Sequence, residues 1–223
     1  MRKKSSQLKR KVGIGATIVA TGAVAATLWL TGGSGKPVKV PAYSVIRVID
    51  GDTFETAEHQ HIRVASTEAP ELDFCGGKEA KEALEKLILG KPVYLKVVYR
   101  DPYQRLVSLV YTEDEFVNEA MLLGGFSYYL RSSPGETGEE LKKATEEARQ
   151  EKAGIFSEKC TQMTNKEKPK CNIKGNTLSD NIYYLPECGV YDNVEVQLYL
   201  GDRWFCTEKE AVAAGFRKPQ QCP

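Results

Sequence analysis

Apolar and polar positions change rhythm several times along this chain. Tyr43-Ser-Val-Ile-Arg-Val-Ile-Asp50 reads as a strand, and Gly51-Asp52 supplies a turn into a second strand, Thr53–Thr56. His61–Ser66 alternates and predicts a third strand. From Lys78 to Leu89 the spacing becomes helical, with Ala80, Ala83, Leu84, Leu87 and Ile88 near one face and Gly90 as the stop. Val93–Tyr99 and Leu106–Tyr111 predict two more strands. Phe116–Leu123 predicts a short helix ended by Gly124-Gly125. Glu139–Lys152 predicts a longer helix, with Leu141, Ala144 and Ala148 inward and Gly154 beyond its end. Short strands with interposed helices predict an α+β fold, a small β-barrel carrying helices on its outside.

The first forty residues follow another pattern. Arg2, Lys3, Lys4, Lys9, Arg10 and Lys11 precede a run without charge from Val12 to Gly35. As a helix this run would be about 36 Å long, enough to cross a hydrocarbon core. The cations before it and Trp29 near its far end suit an uncleaved single-pass anchor with the C-terminal domains outside the cytoplasm. Ala23-Val24-Ala25 offers the alternative, a signal-peptide cleavage site with secretion of the remainder. Without those six cations the 30 acidic residues outnumber the remaining bases. A passive nucleic-acid coat protein would show a basic body, so any contact with nucleic acid must use a local basic site.

All six cysteines, Cys75, Cys160, Cys171, Cys188, Cys206 and Cys222, follow the apolar run. Export, an even count and the lack of a Cys-x-x-Cys spacing favour disulfides over zinc, with the connectivity open. The organisation expected is residues 1–11 as a basic cytoplasmic segment, 12–31 as a transmembrane signal anchor and 32–41 as a linker. A barrel domain at 42–160, a charged linker at 161–170 and a small Cys-rich domain at 171–223 follow. The last region is marginal for a self-sufficient hydrophobic core, and its cysteines are the remedy.

Three pieces of the barrel region carry candidate chemistry. Asp50-Gly51-Asp52-Thr53 sets two carboxylates around a glycine, either a hard-cation site or an ordinary hairpin turn. Ile62-Arg63 through Glu68-Ala-Pro-Glu71 places an arginine and two acids around a rigid proline. Asp101-Pro-Tyr103-Gln-Arg105 adds a second arginine beside a tyrosine. Each alone is compatible with a solvated turn. Together they supply what attack on a phosphodiester needs: a cation, a carboxylate base and two guanidinium groups for phosphate oxygens. There is no Walker loop and no Gly-x-Ser-x-Gly motif.

In order and spacing these pieces resemble the staphylococcal nuclease (thermonuclease) family. The resemblance runs from Tyr43 to Cys160. It includes Val48-Ile-Asp-Gly-Asp-Thr53, Ile62-Arg63, Ala69-Pro-Glu71, Asp101-x-Tyr103-x-Arg105, Val117-Asn118-Glu-Ala120, Gly125 and Gly154-Ile-Phe156. It implies an OB-fold barrel and a Ca²⁺-dependent endonuclease of DNA and RNA that leaves 3′-phosphate ends, expected as a monomer. It further implies Glu71 as general base and Arg63 and Arg105 as the phosphate-binding arginines. Asp52 is the implied calcium ligand with Asp50 in support, Glu68 the second acidic ligand, the Ala69 carbonyl a backbone ligand, and Tyr103 a nucleotide-phosphate contact. Within the resemblance Cys75 and Cys160 pair.

Three departures stand out. Glu68 is a methylene longer than the usual aspartate, Gln104 replaces a common glycine, and the loop after Glu71 is short and holds Cys75. The segment from Cys171 to Phe216 is similar to a small module appended to exported bacterial nucleases, and its end is also similar to the zinc-binding module of the Ada repair protein. The cysteine spacing departs from the latter, so zinc is not carried over. Cys171–Cys206 and Cys188–Cys222 are the pairs expected there. The function expected is an exported, membrane-tethered, metal-dependent nuclease. The alternative is a non-catalytic nucleic-acid-binding or cell-surface module on the same fold.

Overall fold

The computed structural model describes residues 27–30, 38–131, 136–178, 180–220 and 222–223. In chain order the barrel region holds β1 (Thr27–Leu30), β2 (Val38–Val48), β3 (Thr53–Thr56), β4 (His61–Val64), β5 (Thr67–Glu68), α1 (Gly77–Ile88), β6 (Pro92–Arg100), β7 (Leu106–Tyr111), α2 (Val117–Leu123), β8 (Tyr128–Tyr129) and α3 (Glu136–Gln150). The main sheet runs β1-β2-β3-β4-β7-β6, and β6 returns to pair with β2. The ring β2-β3-β4-β7-β6 is therefore a closed five-stranded barrel in the strand order of an OB-fold. The β4–β7 pair is parallel, with Ile62 opposite Leu106 and Arg63 opposite Val107.

Strand alternation fills the barrel. Phe54, Ile62, Val64, Val93 and Val110 are buried inside, where α1 closes the end with Ala80, Leu84 and Ile88 and α2 adds Met121. Burying each of the larger side chains contributes roughly 1.5–3 kcal/mol. The apolar stripe expected on α1 is the buried one, with Leu87 packed at its margin. α3 lays Leu141 and Ala144 on the outside of the barrel against Val107, Leu109 and Leu122. Asn118, buried on α2, accepts from the Val110 N–H at 2.8 Å and donates to the Ala65 carbonyl at 2.7 Å. One side chain thus joins the helix to the ends of two strands.

The chain continues through β9 (Thr161–Gln162), β10 (Ile173–Asn176), β11 (Ile182–Tyr184), β12 (Val196–Gln197), β13 (Arg203–Phe205) and α4 (Glu208–Ala213). A three-stranded sheet, β11-β10-β13, packs Ile173, Tyr183 and Phe205 against Ala211 and Phe216. The α4 N-cap is Thr207, which accepts from the Glu210 N–H. Disulfides join Cys171 to Cys206 and Cys188 to Cys222, and a third, Cys75–Cys160, links the loop after Glu71 to the end of the barrel region. No cysteine is free, so none is left to bind zinc as a thiolate.

Several expectations change. Of the span expected at 12–31, residues 12–26 and 31 lie outside the described residues, as does the basic segment 1–11. Thr27–Leu30 is not the end of a helix but a strand, paired antiparallel with Val38–Pro41. Its backbone groups find partners across the sheet rather than along a helix. Among the described residues no helix is long and apolar enough to cross a membrane. The expected linker 32–41 shortens for the same reason, because β2 already begins at Val38.

The strand expected over His61–Ser66 stops at Val64. Ser66 takes a positive φ of 58°, which turns the chain into β5. The segment at 161–170 is no free tether either. β9 pairs with β12, and the Trp204 indole N–H donates to Gln162 Oε1 at 2.7 Å. Both contacts bind the start of this segment to the C-terminal module.

Candidate active site

The β2–β3 hairpin positions the first acid. Asp50 Oδ1 accepts from the Asp52 N–H at 3.0 Å, folding the turn back on itself. A Cβ on Gly51 would lie 2.5 Å from the Ala69 Cβ and 2.6 Å from that of Ala80, so only glycine lets this turn approach α1 and the Ala69 loop. The Asp52 carbonyl accepts from the Val64 N–H at 2.8 Å, which fixes the residue against the end of β4.

Asp52 is 4% exposed. Its Oδ1 accepts from the Thr53 hydroxyl at 2.9 Å and from Arg63 Nη1 at 2.5 Å. Its Oδ2 accepts from the Ala69 N–H at 3.0 Å. The other Nη of Arg63 donates to Glu68 Oε2. One guanidinium therefore draws together two carboxylates from the hairpin and from β5. Burial, with the adjacent Asp50 charge, pushes the Asp52 carboxyl up from 3.8 to about 7, against the pull of Arg63, the Ala69 N–H and Thr53.

The site suits a hard cation. Its donors are all oxygen, and Asp52 and Glu68 already face one cationic group. Asp50 stays at the turn, its Oδ1 accepting from the Asp52 N–H. Ala69 meets Asp52 through its N–H. Among the described residues no three acidic or other metal-binding side chains form a cation cluster. A bound ion would rest on Asp52 and Glu68, with backbone oxygens or water completing its shell.

The remaining expected groups lie on β7's approach and on the loop after Ala69. Arg105 directly precedes β7, whose Leu106 and Val107 stand opposite Ile62 and Arg63 on the parallel neighbour β4. Asp101 grips Arg105 twice, accepting from Nε at 2.7 Å and from the backbone N–H at 2.9 Å. Both Arg105 Nη groups are without partners among the described residues, which leaves the fork open for phosphate oxygens. Burial works to raise the Asp101 carboxyl, but the Arg105 side-chain and backbone hydrogen bonds outweigh it and hold the group below 3.8. Tyr103, 80% exposed, lies with its ring centroid 5.5 Å from the Arg105 guanidinium carbon. Gln104 occupies the left-handed region at φ 66°. A glycine is at ease in that conformation, whereas another residue is strained by roughly 1–2 kcal/mol.

Glu71 is exposed, and among the described residues nothing bonds its carboxylate. Its carbonyl accepts from the Phe74 N–H at 2.9 Å, closing a turn directly after it. Sequence reasoning passed over the roles of Thr53, Asp101 and Tyr128. The Asp-x-x-x-Arg spacing at 101–105 was a signal for Asp101. Nothing local announced Tyr128. It pairs with Glu68 between β8 and β5, and burial together with the Glu68, Tyr199 and Asp52 charges pushes its hydroxyl up to about 12.

Comparison with known proteins identifies the family of the barrel region. Residues 45–158 match the family model described as staphylococcal nuclease homologue. The chain is 32% identical over 118 residues to an uncharacterized endonuclease of Escherichia coli, covering 51% of this chain and 76% of that protein. It is 33% identical over 113 residues to the staphylococcal-like nuclease CAN1 of Arabidopsis thaliana, covering 51% of this chain and 33% of that one. A probable endonuclease LCL3 of Leptosphaeria maculans is 32% identical over 125 residues, 50% of this chain and 42% of its own length. The chain belongs to the staphylococcal nuclease family. The C-terminal module lies outside the family match.

Proposed function

We propose that this protein is an endonuclease that hydrolyses phosphodiester bonds of DNA and RNA with calcium bound at Asp52 and Glu68, leaving 3′-phosphate ends. The observation that carries the reading is one guanidinium, Arg63, shared by a buried and a half-buried carboxylate, in a chain that also holds Glu71 and the Arg105 guanidinium without a carboxylate on its Nη groups among the described residues. A bound divalent cation supplies charge that polarises the scissile phosphate.

Arg63 and Arg105 bind the phosphate and take up the charge that grows on its equatorial oxygens. Asp101 holds Arg105 at the angle needed for this. Glu71 accepts a proton from the attacking water, whose oxygen bonds to phosphorus. The bond to the 5′-oxygen breaks, that oxygen leaves as a hydroxyl by taking a proton from solvent water, and Glu71 returns its proton to solvent. Tyr103 would meet the flanking nucleotide, a reading supported by its exposed ring beside Arg105. The protein acts as a monomer outside the cytoplasm, where its disulfides persist.

The test is digestion of plasmid DNA and RNA by the oxidised protein with calcium or with chelator, followed by end-group analysis. Calcium-dependent cleavage with 3′-phosphate ends is expected. Folded protein that binds DNA in a salt-sensitive way without cutting it would favour the binding-module alternative.

Membrane tethering rests on the charge-free run. A specific observation favours release instead. An anchor that ends before β1 has only Val12 to Ala26, fewer than the roughly 20 residues a spanning helix needs. Cleavage after Ala25 would leave Thr27–Leu30 free to pair with β2. The mass of the N-terminal peptide in exported protein decides between the two.

A further inference from the structure

The C-terminal module touches the barrel region where the catalytic loop is held. The tip of the Phe74 ring rests on Gly201. A Cβ built there would lie 2.8 Å from Cζ and 2.9 Å from Cε2, and Gly201 has φ 88°. Gly201 is itself fixed. Its N–H donates to Leu198 O at 3.3 Å, and the Leu198 N–H donates to Cys160 O at 2.8 Å. The next residue, Asp202, is buried and accepts from the Gln197 N–H at 2.9 Å and from the Thr177 N–H at 2.8 Å and hydroxyl at 2.9 Å. Tyr199, also buried, sets its ring 5.9 Å from those of Tyr128 and Phe156. This strip of the module is therefore keyed into the barrel region just before Gly201, through Leu198 and Tyr199, and braced within the module just after it, through Asp202.

The loop after Glu71 is short. The Phe74 N–H donates to the Glu71 carbonyl at 2.9 Å, and the Gly77 N–H donates to the Phe74 carbonyl at 3.1 Å as α1 begins. Cys75, next to Phe74, is bonded to Cys160. The turn is thus held twice from the same side, covalently at Cys75 and by ring contact at Phe74. Glu71 is exposed and has no side-chain partner among the described residues, so its direction depends on the backbone that carries it. A shift of about 1 Å in such a group can cost a hundredfold in rate.

We propose that Phe74, seated on Gly201, is a positioning residue for Glu71, and that the C-terminal module thereby forms a wall of the catalytic site. This rests on the reading of Glu71 as the base. It assigns the module a part in turnover, whereas the same fold without it would leave one side of the loop to solvent.

The experiment measures plasmid cleavage with calcium by the full oxidised chain, in five forms: unsubstituted, Phe74→Ala, Phe74→Leu, Glu71→Gln and the Phe74→Ala/Glu71→Gln double variant. Phe74→Ala is expected to lower kcat by about ten- to a hundredfold with KM within about twofold. Phe74→Leu, which keeps bulk over Gly201, should recover most of the loss. In the Glu71→Gln background Phe74→Ala should cost little more, because the group it positions is gone. An unchanged kcat in Phe74→Ala, or an equal loss in both backgrounds, overturns the proposal. Should the alanine variant not fold, Phe74→Val carries the same expectation. Full turnover by Glu71→Gln alone would instead overturn the assignment of the base, and the positioning role with it.

Discussion

Nη1 of Arg63 lies 2.5 Å from Oδ1 of Asp52, across the β3–β4 pair in which Thr53 stands opposite Arg63. The contact neutralises a buried carboxylate that burial drives toward its protonated form. It also occupies one face of the acid, so a cation and the arginine must share Asp52. Calcium should therefore raise the melting temperature of the protein. At a hundredfold excess over Kd the stabilisation would be about 2.7 kcal/mol. Asp52→Asn is expected to abolish that shift and leave a cooperative transition in chelator. An undiminished calcium shift would place the ion elsewhere.

The arginines and Glu71 should separate in kinetics. Arg63→Ala, Glu71→Ala and Arg105→Ala are each expected to lower kcat/KM by orders of magnitude. Circular dichroism should show Glu71→Ala and Arg105→Ala folded, since neither side chain is deeply buried. Arg63→Ala should also lose stability, because it leaves Asp52 buried without its arginine. A stable, merely slow Arg63→Ala protein would count against that coupling.

Asn118 is expected to matter for stability alone. Its carboxamide satisfies the Val110 N–H and the Ala65 carbonyl inside the protein. Asn118→Ala would orphan both, at roughly 1–3 kcal/mol each. Urea denaturation should show a loss of about 2–4 kcal/mol without altered metal affinity. A loss below about 1 kcal/mol would mean that water replaces the side chain.

Asp101 predicts an acid response. Its folded-state carboxyl titrates below the ordinary 3.8, with hydrogen bonds from Arg105 overcoming burial. A depressed acid contributes stability above its unfolded-state value, and that contribution is lost as pH falls through the folded-state value. Between pH 7 and pH 3 the urea midpoint should fall further for the native protein than for Asp101→Asn. Equal falls would show that the Asp101–Arg105 pair does not drive acid sensitivity.

Much of the barrel was legible because its signals are local. Alternation marks β4, and the Ala80–Ala83–Leu84–Ile88 stripe marks α1, since backbone geometry sets which neighbours share a face. The residue types in the three motifs suggested phosphodiester chemistry, and their order and spacing carried the resemblance to the family. The early stop of β4 was not legible. Ser66 adopts a left-handed conformation that alternation does not announce.

The sequence by itself determined the order of strands and helices, the acids and arginines available, and the even set of cysteines. Only the tertiary structure decided that Asp52 and Glu68 meet on one guanidinium, that Thr27–Leu30 joins the sheet, and that Gly201 reaches Phe74. Periodicity and turn chemistry act over a few residues. These contacts join segments far apart in the chain, and their energies exist only once packing has removed water and brought the partners within reach.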